Sequence, residues 1–75
     1  MNIYKEIAEK RKILREEYGG MMTLTDLTKE FGYGSKTATI EAIRELDIPA
    51  TKIGRMKRYE TDLVAKRLVE LRGMV

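Results

Sequence analysis

Seventy-five residues, 43% of them hydrophobic, suffice for one small domain spanning residues 1–75 and leave no room for a second. The chain has no cysteine and no histidine, and its twelve carboxylates lie scattered among fifteen lysines and arginines. Disulfide staples, most zinc-ligand sets and most nucleophile–base pairs are thereby removed, so neither an enzyme nor a metal or other cofactor is expected. The net charge is +3, no apolar run nears the roughly 20 residues of a membrane span, and the N-terminus lacks the order of a signal peptide; the expected location is the cytoplasm, with no membrane partner.

Residues 2–18 read as a helix. Asn2 can cap it, and Ile3, Ile7, Leu14 and Tyr18 recur down one face. That stripe reads as a cover for the core, while Lys10, Arg11 and Lys12 form a cluster that could alternatively touch phosphates. Gly19-Gly20 ends the helix, because glycine accepts the backbone that a helix C-terminus needs.

A second helix is predicted over Leu24–Phe31. Thr23 and Asp26 form a capping-box pair, and Leu24, Leu27 and Phe31 make the stripe to be buried. Gly32-Tyr33-Gly34 allows a sharp turn in which Tyr33 packs. Ser35 is a good N-cap for a third helix, Lys36–Leu46, with Ala38, Ala42, Ile43 and Leu46 on its apolar side and Ile40 toward the flank. Lys36, Thr37, Glu41, Arg44 and Glu45 fall on the other faces, Glu41 as a solvated partner for Arg44. Asp47-Ile48-Pro49 ends this helix, since the residue before proline is pushed out of the α region.

Residues 50–59 suit a two-stranded β-hairpin that turns at Gly54-Arg55, with Ile53 and Tyr59 facing inward. Met21, Met22 and Met56 read as gap-filling or tip residues. A last helix starts at Glu60 or Thr61, with Leu63, Val64, Leu68 and Leu71 as its apolar face. The predicted fold is therefore α+β and mostly α: four helices and a two-stranded hairpin.

Charge is not spread evenly over these elements. Residues 36–58 hold six basic and three acidic groups, and Thr51–Tyr59 holds Lys52, Arg55, Lys57 and Arg58 with no acid. A concentrated basic stretch is what a polyanion selects, although a solvated loop can look the same. Two helices joined by a short glycine turn match the helix-turn-helix unit, in which one helix braces another against the major groove. Alone this is a weak signal. A basic hairpin directly after the second helix strengthens it, giving a winged helix-turn-helix, with Arg55 near the tip best placed for a minor groove.

On double-stranded DNA, the candidate recognition-helix residues are Lys36, Thr37 and Arg44, with Ser35 and Thr39 toward the backbone and Ile40 toward a thymine methyl. Lys52, Arg55, Lys57 and Arg58 are the wing candidates; Arg58 could instead pair with Asp62.

The segment from Met22 to Leu63 resembles the excisionase-type, MerR-like winged helix domains of phages, plasmids and integrative elements. The likeness runs through Met22-Thr23-Leu24-Thr25-Asp26-Leu27, which is similar to that family's opening strand-to-helix segment, then Phe31-Gly32, Ser35-Lys36-Thr37 and Ile43-Arg44-Glu45. It is closest at Ile48-Pro49-Ala50-Thr51-Lys52-Ile53-Gly54-Arg55, and Arg58-Tyr59 with Asp62-Leu63 resembles the return strand and final helix. The chain departs from the pattern in a longer turn at residues 32–34, a shorter step from Tyr59 to Asp62, and a helix at 2–18 that extends the core at 22–63. The resemblance implies a non-catalytic architectural factor of a mobile element. Several copies would bind adjacent sites cooperatively, bend the DNA and favour excision by an integrase or recombinase. Two other readings stand beside it: a small transcriptional regulator or repressor of phage or plasmid type, and a protein-interaction module whose interface is the helices at 2–18 and 60–72.

Overall fold

A computed structural model describes residues 2–73, with side chains to residue 71. In chain order it contains α1 (Ile3–Tyr18), β1 (Met21–Met22), α2 (Leu24–Phe31), α3 (Lys36–Glu45), β2 (Thr51–Ile53), β3 (Met56–Glu60) and α4 (Thr61–Gly73). The class is α+β, mostly helical, as expected. The sheet, however, has three antiparallel strands in the order β1-β3-β2, not two. Met21 and Met22 pair with Glu60 and Tyr59, so the hairpin strand β3 is central and tied to the end of α1.

Local chemistry places most helix ends where the sequence puts them. Asn2 accepts hydrogen bonds from the Tyr4 and Lys5 amides and caps α1. Thr23 and Asp26 exchange reciprocal 3.0 Å bonds at the start of α2, a complete capping box. Gly32 closes α2 in the left-handed region, and Ser35 accepts from the Ala38 amide to open α3.

The end of α3 has a cause that proline alone does not supply. Asp47 adopts φ 56°; its amide donates to the Arg44 carbonyl, and the Ile48 amide donates to the Ile43 carbonyl. This is a Schellman motif with aspartate where glycine is usual. Its accompanying apolar contact is supplied by Ile48 and Ile43, both members of the core.

The core joins Leu14, Met22, Leu27, Ile43, Ile48, Tyr59, Val64 and Ala65 from every helix, β1, β3 and the segment after α3. The tightest pairing of elements is α1 against α4. On α1 the buried part of the stripe is its C-terminal half, Leu14 with partly buried Tyr18, while Ile3 is exposed. On α4 the buried face is Val64, Ala65 and Val69; Leu71, expected to be on it, is exposed.

Polar contacts fasten α1 on two sides. Glu30 of α2 accepts from both Lys10 Nζ and Tyr18 Oη at 3.2 Å, and Lys29 pairs with Glu17. Partial burial beside Glu30 pushes the Tyr18 phenol up to about 12. Toward α4, Arg15 grips Asp62 through two nitrogens at 2.6 and 3.0 Å. Helix α1 is thus an integral wall of the domain. Of the Lys10-Arg11-Lys12 cluster, Lys10 is paired with Glu30, whereas Arg11 and Lys12 are exposed and have no ion pair among the described residues.

β3 runs into α4 without a loop, which accounts for the short step between Tyr59 and Asp62. Thr61 is the joint: fully buried, it donates through Oγ1 to the Gly19 carbonyl at 2.7 Å and through its amide to the Gly20 carbonyl at 3.1 Å. Among the described residues, no helix is long and apolar enough to cross a membrane.

Candidate nucleic-acid interface

Helix α3 has one buried and one exposed side, set by the 3.6-residue period. Thr39, Ala42 and Ile43 are buried, with Leu46 partly so; Lys36, Thr37, Ile40, Glu41 and Arg44 are exposed. Lys36, Ile40 and Arg44 follow one another at four-residue spacing, so they form a single ridge with Thr37 and Glu41 beside it. Ser35, also exposed, sits at the N-terminal end of that ridge.

Thr39 does not belong to this surface. Its relative exposure is 0%, and its hydroxyl donates to the Ser35 carbonyl at 3.1 Å. The expectation of a backbone contact from Thr39 is corrected: it lies on the core side, three residues after Lys36. Ile40, which a small domain could well have buried, is 43% exposed. Glu41 forms no ion pair with Arg44 among the described residues.

The hairpin pairs Thr51 with Arg58, Lys52 with Lys57 and Ile53 with Met56, leaving Gly54-Arg55 as a two-residue turn. Gly54 has φ 63° whereas Arg55 has no positive φ. Positive φ at the first central position alone is the type II′ pattern, whose twist suits a tight hairpin. Lys52 and Lys57 therefore stand directly opposite one another on one side of the ribbon. Two like charges so placed repel, a cost that an anion would relieve.

Two wing expectations need correction. Ile53 does not face inward: it is 56% exposed, because β2 ends beyond the reach of the core and only Tyr59, further along β3, is buried in it. Arg58 does not pair with Asp62, whose carboxylate is already occupied by Arg15. The Arg58 guanidinium instead donates to the Lys57 carbonyl at 3.1 Å and to Met56 Sδ at 3.3 Å. Residues two apart in a strand share a side, which is why Met56 and Arg58 meet.

Between α3 and the hairpin runs an open cleft of about 530 Å³. Ile40 forms one wall; Arg55, Met56, Lys57 and Arg58 form the other; Thr23, Leu24 and Thr25 at the start of α2 contribute to its lining. The exposed ridge of α3 and three wing cations are therefore neighbours on one face, with Lys52 on the outer strand. Sequence reasoning missed Thr25 and Met56 as members of this surface. An exposed hydroxyl in the first turn of α2 was the available signal for Thr25; nothing in the spacing alone pointed to Met56.

Cations elsewhere are mixed, since Lys5, Arg11, Lys12 and Lys66 have no carboxylate partner among the described residues. Lys10, Arg15, Lys29 and Arg67 each have a carboxylate within 4.0 Å. Among the described residues, none of Lys36, Arg44, Lys52, Arg55, Lys57 and Arg58 has one. The arrangement can bind a polyanion without first breaking an internal ion pair. The described residues hold no cluster of three or more acidic side chains suited to a metal ion. Comparison with the models of protein families, with curated proteins and with solved structures gives no match.

Proposed function

We propose that this chain is a winged helix-turn-helix protein that binds double-stranded DNA sequence-selectively, with α3 as recognition helix and the β2–β3 hairpin as wing. The observation that carries the reading is the cluster of unpaired cations beside the cleft. Among the described residues, none of the six basic side chains of α3 and the hairpin has a carboxylate partner, whereas on α1, α2 and α4 Lys10, Arg15, Lys29 and Arg67 are paired and Lys5, Arg11, Lys12 and Lys66 are not. In this reading Lys36, Thr37 and Arg44 face base edges and phosphates, Ser35 approaches the backbone, and Ile40 meets a thymine methyl. Lys52, Arg55, Lys57 and Arg58 neutralise phosphates on the wing side of the groove.

The biological role proposed is that of an excisionase-like accessory factor of a mobile element, acting beside an integrase or recombinase. One lysine in the first turn of α3 and four wing cations make an interface anchored more strongly than it reads, which suits an architectural protein. The protein-interaction module stands beside it as a second reading, because α1 and α4 bury Leu14, Val64, Ala65 and Val69 but leave Ile3, Tyr4, Ile13 and Leu71 exposed.

Selection from a pool of random-sequence duplexes at low salt, followed by gel shift, tests the proposal. Enrichment of a defined duplex, with binding weakened in the Arg55→Ala/Lys57→Ala variant, is the expected result. Footprinting then separates the roles: protection beside a recombination end supports the excision factor, and protection across a promoter supports a regulator.

A further inference from the structure

The wing carries an apolar feature that phosphate neutralisation does not use. Ile53 and Met56 pair directly across the hairpin, on either side of the Gly54-Arg55 turn, and each is 56% exposed. They occupy the same side of the ribbon, opposite in sense to the Lys52–Lys57 pair one step further from the tip. Met56 also lines the cleft together with Ile40, so exposed apolar surface continues from the recognition ridge toward the wing tip.

Single exposed apolar residues are ordinary, but two side by side at the end of a two-stranded projection are not. Among the described residues the pair remains largely open: β2 is an outer strand with all three of its residues exposed, and Met56 is 56% exposed although the Arg58 guanidinium touches its Sδ. Arg55 at the turn and Arg58 on the same face adjoin the pair, and Lys57 lies on the opposite face, so its occupant must tolerate adjacent cations and offer an apolar surface between anionic walls. The groove of a DNA duplex does both: phosphates line its edges, and sugars and base faces lie between them.

Resting on the DNA-binding reading above, we propose that the wing tip is an apolar wedge. Ile53 and Met56 enter the minor groove beside the α3 site while Arg55 leads and Lys57 and Arg58 hold the flanking phosphates. A ribbon with strands about 4.8 Å apart, plus its side chains, exceeds a minor groove about 6 Å wide. Entry therefore opens the groove, loosens a base step against the two side chains, and bends the duplex toward the major groove.

The test uses the duplex enriched from the random pool, labelled at both ends, with bending read by energy transfer and affinity by titration. The wild-type chain should bend it by about 20–90°. Ile53→Ser/Met56→Ser should lose most of that bend while affinity falls by no more than about tenfold, since the phosphate contacts remain. Ile53→Leu/Met56→Leu should keep it. Both positions are exposed, so all three proteins should share one melting temperature. An equal bend from the serine variant, or a bound but straight duplex with the wild type, overturns the wedge and leaves DNA binding intact. Failure to enrich any duplex, or tighter binding to phosphatidylserine vesicles than to DNA, overturns the DNA-binding reading and the wedge together.

Discussion

Two threonines of α3, two residues apart, divide the core side of the helix from its exposed ridge. Thr37 is exposed on the ridge; Thr39 is buried and bonded to the Ser35 carbonyl. Thr39→Ala should destabilise the fold by about 1–2 kcal/mol, through a lost hydrogen bond and a small void, and leave DNA affinity of the folded protein unchanged. Thr37→Ala should do the reverse, weakening duplex binding with no shift in thermal melting. The other informative residue is Asp62. Arg15 hydrogen-bonds to it and holds its carboxyl below the ordinary aspartate range, against a smaller opposing effect of burial. A depressed folded-state value means that the stabilisation is complete at neutral pH. It is lost as pH falls below the ordinary carboxylate range and through the lowered one. Melting followed from pH 7 to acid should show this decline, and Asp62→Asn should lower the neutral melting temperature and flatten the acid dependence.

At the scale of elements, the junctions decide how α3 and the wing are presented. The αL aspartate at the end of α3 sets the direction in which Ile48 returns to the core before Pro49 and β2. Asp47→Gly keeps the Schellman geometry and removes the side-chain strain of φ 56°, so it should stabilise by about 0.5 kcal/mol in chemical denaturation. Helix α1 is the second decisive element, since it meets α2 through Glu30 and Lys29 and α4 through Asp62. Leu14 is fully buried against the rest of the core. Leu14→Ala should cost about 2–5 kcal/mol, enough to leave a domain of this size largely unfolded at ordinary temperature. A truncated chain beginning at Met21 should give no cooperative melt; an extension dispensable to the fold would leave the transition in place.

The whole molecule sets a basic hairpin, without ion pairs among the described residues, apart from a helical body in which four cations are paired and Lys5, Arg11, Lys12 and Lys66 are not. In a chain whose net charge is only +3, that separation matters more than the total. Roughly four or five phosphate contacts should give a slope of log K against log salt near −4, each contact adding about 0.9. Arg55→Ala/Lys57→Ala should reduce the slope by about 1.8 if both residues meet phosphates. A wild-type slope near zero would remove the electrostatic basis of the proposed function. Lys10→Ala, which breaks the Glu30 contact, should leave the slope unchanged and lower stability instead.

The apolar period, the caps at Asn2, Thr23 and Ser35, and the glycine turns fixed the four helices and the hairpin without reference to tertiary contacts. These are local preferences, satisfied within a few residues of themselves. The basic character of the 51–59 segment is likewise a property of composition. The third strand was legible only as part of a family resemblance, because two residues carry no period of their own and pair with partners 39 and 37 positions away. The side that Thr39 takes, the exposure of Ile53 and the company Met56 keeps were decided by which flank of α3 meets α2 and by how far β2 extends past the core. Partner choice among charges was decided the same way: Asp62 lies near Arg58 in sequence, yet the packing of α4 on α1 brings it to Arg15, 47 residues away. Sequence supplied the elements and the charges; tertiary packing brought Lys10, Arg15 and Lys29 to carboxylates of other helices and set Arg55, Lys57 and Arg58 across a cleft from Ile40.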